Sequence, residues 1–502
     1  MQKRFIKTEF SLIITFLFVA ASVFPSALTT MNNSTIDSCE IPTWYMGDEW
    51  IYDADPVTYN SDNGSFNGKI ENLKREVIGI TTITHGDDQI EVYEVDIKGD
   101  IQGQMSWGII SGDLEGTVDG VSYIRVSDLA EVKTEIYSTG IVKVLVIDWP
   151  YELTNINLFF LPLELYDFPL EMYDKWEISC DISSSGSFKI IGLIEEEFSD
   201  TEQYEEIMNC VIKETVTVPA GDFESYKITF SSDEIWYSSE VGNIVKSEVD
   251  HDDRDYTFNM DLSLKSFSRG NQPIEITENI NPSEAVIGQK INISGKAIDS
   301  NGNPIQNGDI SIEIPRSGDQ WNTNTDDEGN YLITIDETPK IIDDTPSDGE
   351  FGSGGVIVRC SYENLEGYRV KTLVISDYMP PFPPSIDGPT KGKAGVDYDY
   401  RFISNDPAAH PFYLYVDWGD ETNSGWRGPC SSGIILNHTW NSQGTFTIRA
   451  KVKEVIYGIK SDWGYFNVNI PISKAFHNAF LLHIMEKFPN LFIVLGYILR
   501  LI

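Results

Sequence analysis

The sequence has little helical period. Between residues 40 and 472 its apolar residues do not recur at three- and four-residue intervals, which excludes a helical bundle or a helix-rich α/β enzyme. Basic charge is scarce as well. Thirty-six Lys and Arg stand against 78 Asp and Glu, a net charge of −42. No basic stripe is present, so nucleic acid is not an expected partner. The acidity favours solubility, opposes adhesion to anionic lipid and suits a salty exterior that screens self-repulsion. Cysteine is rare and odd in number: Cys39, Cys180, Cys210, Cys360 and Cys430. Five are too few for a disulfide scaffold, so a packed core must hold the fold. A Cys180–Cys210 bridge within one region is open to the chain, and at least one thiol is left over.

The signatures of common chemistries are missing too. The six histidines are His85, His251, His410, His438, His477 and His483. None belongs to H-E-x-x-H, and no G-x-S-x-G, Walker loop or dinucleotide fingerprint appears. "HDDRD" (residues 251–255) is the most metal-like cluster and reads as a solvated turn. "DSNGNPIQNGDI" starts like a calcium loop at Asp299, but Ile310 stands where that loop needs Glu. The expectation is a non-enzyme without a cofactor. The alternative is an accessory or catalytic part of an extracellular hydrolase, with its site in residues 40–270.

Both ends are apolar. Lys3, Arg4 and Lys7 precede the uncharged run "SLIITFLFVAASVF" and the small residues of "PSALTT". This order predicts a secretory signal peptide over residues 1–28, with an uncleaved anchor as the alternative. Export would expose five N-x-S/T sequons, at Asn32, Asn33, Asn63, Asn292 and Asn437, to glycosylation. Residues 475–502 shift sharply to apolar character and are cut by Pro489. The piece after Pro489 is short for a membrane span. It reads as a helical tail that contacts a membrane or packs on the protein itself.

Between the ends the chain predicts an all-β, multidomain protein. Runs such as "QIEVYEVDIKG" and "TFTIRAKVKEV" are rich in β-branched and aromatic residues and bounded by turn residues. Pro-rich junctions near Ser268 and Ser376 divide it into regions 40–270, 272–376 and 380–472. The first looks duplicated. "GDEWIYD" with Trp50 is echoed by "YDKWEIS" with Trp176, and Val132-Lys133-Thr134-Glu135 by Val245-Lys246-Ser247-Glu248. The segment "TVTVPAGDFESYKITF" and the following "IWYSSEVGNIVK" resemble exported half-barrel proteins of the lipoprotein-carrier and lipid-binding class. Val218, Pro219, Ala220, Gly221, Phe223, Trp236, Tyr237, Gly242 and Val245 carry that resemblance. It implies a duplicated, curved antiparallel sheet around an apolar cavity, and thus a lipid-like ligand. Trp50, Trp176 and Trp236 are candidates for its walls or for plain core.

The second region alternates apolar and polar residues around a "DSNGNPI" hairpin and resembles an immunoglobulin-like β-sandwich. The third contains "YLYVDWGDETNSGW", "NHTWNSQGTFTIRAKVKE" and "GIKSDWGYFNV". These resemble a PKD domain, a second sandwich of the immunoglobulin-like kind. Trp418, Gly419, Asp420, His438, Trp440, Gly444 and Phe446 occupy the family's motif positions, with Glu421 where a Gly is usual. Gly419 would make the bend, Asp420 would cap backbone N–H groups, and the tryptophans would fill the core. A calcium ion on the turn's carboxylates is the metal alternative. The string of modules resembles archaeal secreted or cell-surface proteins, which implies contacts with other surface proteins or carbohydrate.

Overall fold

The computed structural model describes residues 38–471 except 63, 87, 253–255, 340–351, 377–379, 408–409, 421 and 456–459. The signal segment, the sequons at Asn32, Asn33 and Asn63, Glu421 and the tail 475–502 lie outside the described residues. Every described element is a strand, as the sequence predicts. The chain forms two compact units, 1–377 and 378–502.

The first unit is built on twelve strands that close into a barrel. Two six-stranded meanders make it. One comprises β2 (Glu49–Ser61), β3 (Gly64–His85), β4 (Asp88–Trp107), β5 (Ile110–Arg125), β6 (Glu131–Val144) and β7 (Ile147–Leu163). The other comprises β9 (Lys175–Ile190), β10 (Ile194–Val218), β11 (Gly221–Phe230), β12 (Asp233–Ser238), β13 (Asn243–Asp252) and β14 (Tyr256–Ser268). The two-residue β1 (Ser38–Cys39) and β8 (Leu170–Glu171) pair outside the ring. The ring closes where β7 pairs β9 and where β14 pairs β2. The curved sheet expected from the sequence is therefore a complete circuit, with no open edge left to blunt.

The duplication is visible strand by strand. Trp50 and Trp176 each stand second in the first strand of a meander. Val132–Glu135 and Val245–Glu248 each stand in the fifth strand. A matching turn precedes each fifth strand. Leu129 (φ 69°) donates its N–H to the Arg125 carbonyl, and Gly242 (φ 65°) to that of Ser238, each four residues back.

The interior is mostly apolar, with Arg75, Glu131, Asn155 and Asn157 buried within it, and outward positions carry charge. Lys74, Glu76, Asp96, Lys98, Lys133 and Glu135 form ion pairs on the outer face, the reverse of a lipid-facing barrel wall. Cys180 stands opposite Tyr204 in the β9–β10 ladder, whereas Cys210 lies six residues further along. The Cys180–Cys210 bridge left open by the sequence is not made, because that offset exceeds the reach of a disulfide. Burial pushes the Cys180 thiol up to about 12.

An immunoglobulin-like sandwich of three and five strands follows in the same unit. Its core of Ile276, Ile293, Ile312, Val358 and Leu373 obeys the period-two pattern of its strands. It is joined tightly to one end of the barrel. Residues 39–45 run between the two: Ile41 N–H donates to Thr372 Oγ1 at 3.0 Å, and Val370 N–H to Thr43 Oγ1 at 2.9 Å. Trp44 plugs that end, with its ring 5.2 Å from Trp50 and 5.0 Å from Tyr93. Ile357 and Val370 of the sandwich belong to the barrel's own core. A buried ionic cluster completes the joint. Arg316 of the sandwich binds Asp128 at 2.9 Å and also Glu164, and Arg125 binds both carboxylates at 2.8 and 2.6 Å.

The second unit is a sandwich of three and four strands. Its core holds Tyr400, Phe402, Val416, Trp418, Trp440 and Ile448.

The ionic cluster makes the first unit acid-sensitive. Burial raises Asp128, but Arg125 and Arg316 outweigh it and hold the carboxyl down at about 2. An unfolded Asp titrates near ~3.9. The stabilisation is thus full above about pH 5 and is lost as pH falls toward 2, an effect of about 2–3 kcal/mol. Urea titrations between pH 7 and 2.5 should show this loss in the native chain and a smaller one in Asp128→Asn. Equal losses would contradict the assignment.

Candidate functional site

Two places merit a site description, the turn in the second unit and the barrel interior. In the turn, strand Phe412–Asp417 runs into Trp418 and a tight loop. Gly419 has φ 75°, and a Cβ there would lie 2.6 Å from the Thr447 carbonyl oxygen, so only glycine fits. The motif residues come together around His438. Its ring stacks on Trp418 at 4.5 Å and 5°, and meets Trp440 edge-on at 4.7 Å. Its Nε2 lies 2.9 Å from Asp420 Oδ2. Trp440 Nε1–H donates to the Trp418 carbonyl at 3.2 Å, and its ring stacks on Phe446 at 5.7 Å. Gly444 opens the strand that carries Phe446.

The carboxylates of this stretch point to separate partners. Asp417 Oδ2 binds Arg449 at 2.8 Å, and Asp417 Oδ1 accepts the Gly419 N–H. Asp420 Oδ1 accepts the Thr422 N–H and hydroxyl at 3.3 and 2.6 Å, the Asx turn expected of it. Burial raises the Asp420 carboxyl, but the bonds from Thr422 and His438 prevail and hold it below its ordinary value. Among the described residues no His, Cys, Asp and Glu gather into a metal-sized group. Of the sequons in described strands, Asn437 is exposed and donates to Asp397, while Asn292 is half-buried and accepts from Thr334.

The barrel interior holds a second feature, an apolar cavity of about 100 Å³. It lies where the main core meets a smaller cluster of Met105, Leu114, Val142, Tyr151, Phe188 and Ile190. Of that cluster Met105, Leu114, Tyr151 and Phe188 line it, together with Val57, Tyr59, Phe66, Ile70, Ile101, Trp107, Val118, Leu153 and Phe258. The polar lining consists of Ser65, Ser106, Ser138 and two phenols. Ser138 donates to the Thr117 carbonyl at 2.8 Å and lies 2.9 Å from the Tyr151 hydroxyl. Burial raises the Tyr151 phenol against that bond, so it stays neutral. Among the described residues no carboxylate, amine, guanidinium, imidazole or thiol lines the cavity.

Cross-strand glycine pairs shape these walls. Gly116 stands opposite Gly140, and a Cβ on Gly116 would lie 2.2 Å from the Tyr151 hydroxyl oxygen. Gly68 stands opposite Gly103, and a Cβ on Gly68 would lie 2.6 Å from the Phe66 ring. Each pair clears a seat for one aromatic ring and lets the sheet bend sharply there.

No protein-family model matches the chain, and no curated protein matches it. Among solved structures it is similar to the PKD domain of an M14-like peptidase from Thermoplasmatales archaeon SCGC AB-540-F20. That match has 37% identity and a TM-score of 0.18, and covers 19% of this chain and 99% of that one. A chimeric titin Z1Z2 tandem matches at 11% identity and TM-score 0.20, over 39% of this chain and 100% of its own. The amphioxus IgVJ-C2 molecule matches at 12% identity and TM-score 0.14, over 38% of this chain and 99% of its own. Neighbours of this chain thus include PKD-type and immunoglobulin-like β-domains.

The tryptophans named from the sequence as cavity walls or core are core. Trp50 donates to the Val241 carbonyl. Trp236 donates to Glu214 and lies between the Lys227 and Lys246 ammonium groups. None of Trp50, Trp176 and Trp236 lines the cavity; Trp107, Tyr151 and Phe188 do. The missed signal was the strand-interior glycines at 68, 103, 116 and 140.

In the second unit, Trp440→Ala should cost about 3–5 kcal/mol, since it empties the centre of a small core. Asp420→Asn keeps an acceptor for Thr422 and should cost about 1 kcal/mol. Urea titrations, with calcium and with chelator, check both. A melting rise with calcium that Asp420→Asn abolishes would make the turn a metal site instead.

Proposed function

We propose that this chain is a non-enzymatic, exported, cell-surface or secreted modular protein of the PKD-containing kind. Its barrel holds a small apolar or lipid-like ligand, and its two sandwiches make contacts with other surface proteins or carbohydrate. The observation that carries the ligand reading is the cavity lining. A carrier needs an apolar chamber, a catalyst needs convergent titratable groups, and a pure spacer needs neither. The chamber is apolar in character, and its Ser65, Ser106, Ser138 and Tyr151 hydroxyl groups are turned to one another or to backbone.

Size narrows the ligand. A cavity of about 150 Å³ lined by aliphatic and aromatic groups accepts a benzene-sized guest. The 100 Å³ here suits one end of a single acyl chain or a compact apolar ring, and not a whole two-chain lipid. The hydrolase alternative in residues 40–270 would need a general acid or base at the ligand, and the described lining of this cavity contains none.

Titration of the full chain with an environment-sensitive fatty-acid probe tests this. Saturable binding at micromolar probe is expected. Val118→Phe fills the chamber and should weaken binding more than about tenfold, at a stability cost of about 1–3 kcal/mol. No saturable binding, or equal binding by the filled variant, would refute the ligand reading.

A further inference from the structure

The barrel has one end covered by the sandwich and one end bare of it. Strands β2, β4, β6, β9, β11 and β13 all run toward the bare end, so six hairpin tips lie there. Three of those tips are aliphatic. Ile109 is 104% exposed, Leu145 91% and Val146 92%, and Ile147, Ile191 and Leu193 are exposed beside them. The β2–β3 tip carries Asp62 and the β11–β12 tip carries Ser231-Ser232, so the three aliphatic tips, consecutive around the ring, form one side of that end with polar tips beyond them.

Turn chemistry does not account for these residues. The two-residue turn Leu145-Val146 puts Leu145 at φ 59°, a position where hairpins favour Asn or Gly. A leucine held in the left-handed region and bared to water is disfavoured on both counts, an outlier that points to function. Charge points the same way. In a chain of net charge −42, residues 107–111, 144–147 and 190–194 contain no acid and no base. The first charges behind the second and third are mutually paired, Lys143 with Asp148 at 3.8 Å and Lys189 with Glu195 at 2.8 Å. The tips reach two and three residues beyond Trp107 and Trp149, whose rings pack partly buried against the inner cluster at that end. At ~3.3 Å per residue that is about 7–10 Å, close to the 5–10 Å depth of an interfacial insertion.

We propose that these three hairpin tips dock the bare end of the barrel into the headgroup boundary of a lipid bilayer. The charged outer wall of the barrel stays in water, and only the tips enter. The uncharged tips need no anionic lipid, which the acidic protein would repel. This goes beyond the ligand reading and stands whether or not the cavity is filled. If both hold, the cavity lined by Trp107 lies just behind the docked tips.

The test is binding of the full chain to phosphatidylcholine vesicles, with quenching of tryptophan fluorescence by brominated acyl chains as the depth readout. The native chain should bind and be quenched. The double variant Ile109→Asp with Leu145→Asp should bind at least about tenfold more weakly and lose the quenching. A double variant of exposed sandwich leucines, Leu332→Asp with Leu365→Asp, should bind as the native chain does. No native binding, or undiminished binding by the tip variant, overturns the proposal. So does an equal loss in the sandwich variant. A tip variant that merely converts a dimer to a monomer in light scattering overturns it too, by making the patch a self-association surface. The fatty-acid probe, titrated without vesicles, should bind the tip variant as it binds the native chain, so failure of docking and failure of the ligand reading stay distinguishable.

Discussion

The structure of the first unit depends on one constraint, closure of a duplicated meander on itself. Each half alone would be a curved sheet with two long bare edges. Pairing β7 with β9 and β14 with β2 removes all of them at once. Closure then imposes a volume to fill. At the end next to the sandwich it is filled by Trp44, Trp50 and Tyr93, and sealed by residues 39–45 and the Arg316 cluster. At the other end, among the described residues, packing is left to the strands' own side chains. The cavity lies between those two regimes of packing.

Glycine is what makes that second regime possible. A closed sheet must bend, and bending is cheapest where facing residues lack a Cβ. The pairs Gly116–Gly140 and Gly68–Gly103 supply such points, and Tyr151 and Phe66 cover them from inside. Rings seated on backbone are held in place by closure and do not collapse into the adjoining space. Curvature, aromatic walls and residual volume thus share a single cause. The second unit solves a smaller problem differently, with His438 between two tryptophans and an Asx turn at Asp420.

Much of this was legible in the sequence, and the reasons are local. Period-two runs gave the strands. Trp50 and Trp176, with the paired Val-Lys-Thr/Ser-Glu segments, gave the two halves, because those residues hold equivalent strand positions. In the turn, Trp418, Gly419, Asp420, His438 and Trp440 were readable because all are close in sequence or in adjoining strands. Three things were not legible. The barrel seams join strands far apart in the chain, and no local pattern encodes them. The cavity walls come from eight different strands, so Trp107 and Phe188 look like any other aromatic residues. The joint between barrel and sandwich rests on Arg316, Asp128 and Glu164, whose separation in sequence hides their contact.

The central claim is that barrel closure leaves a dry, apolar chamber behind Phe66, Tyr151 and Trp107. Xenon binds such chambers and avoids hydrated ones. Crystals of the full chain under xenon pressure test the claim most directly. The account predicts a xenon atom among those three rings, with no ordered water in its place. A chamber occupied by hydrogen-bonded waters, or closed by a repacked side chain, would contradict it.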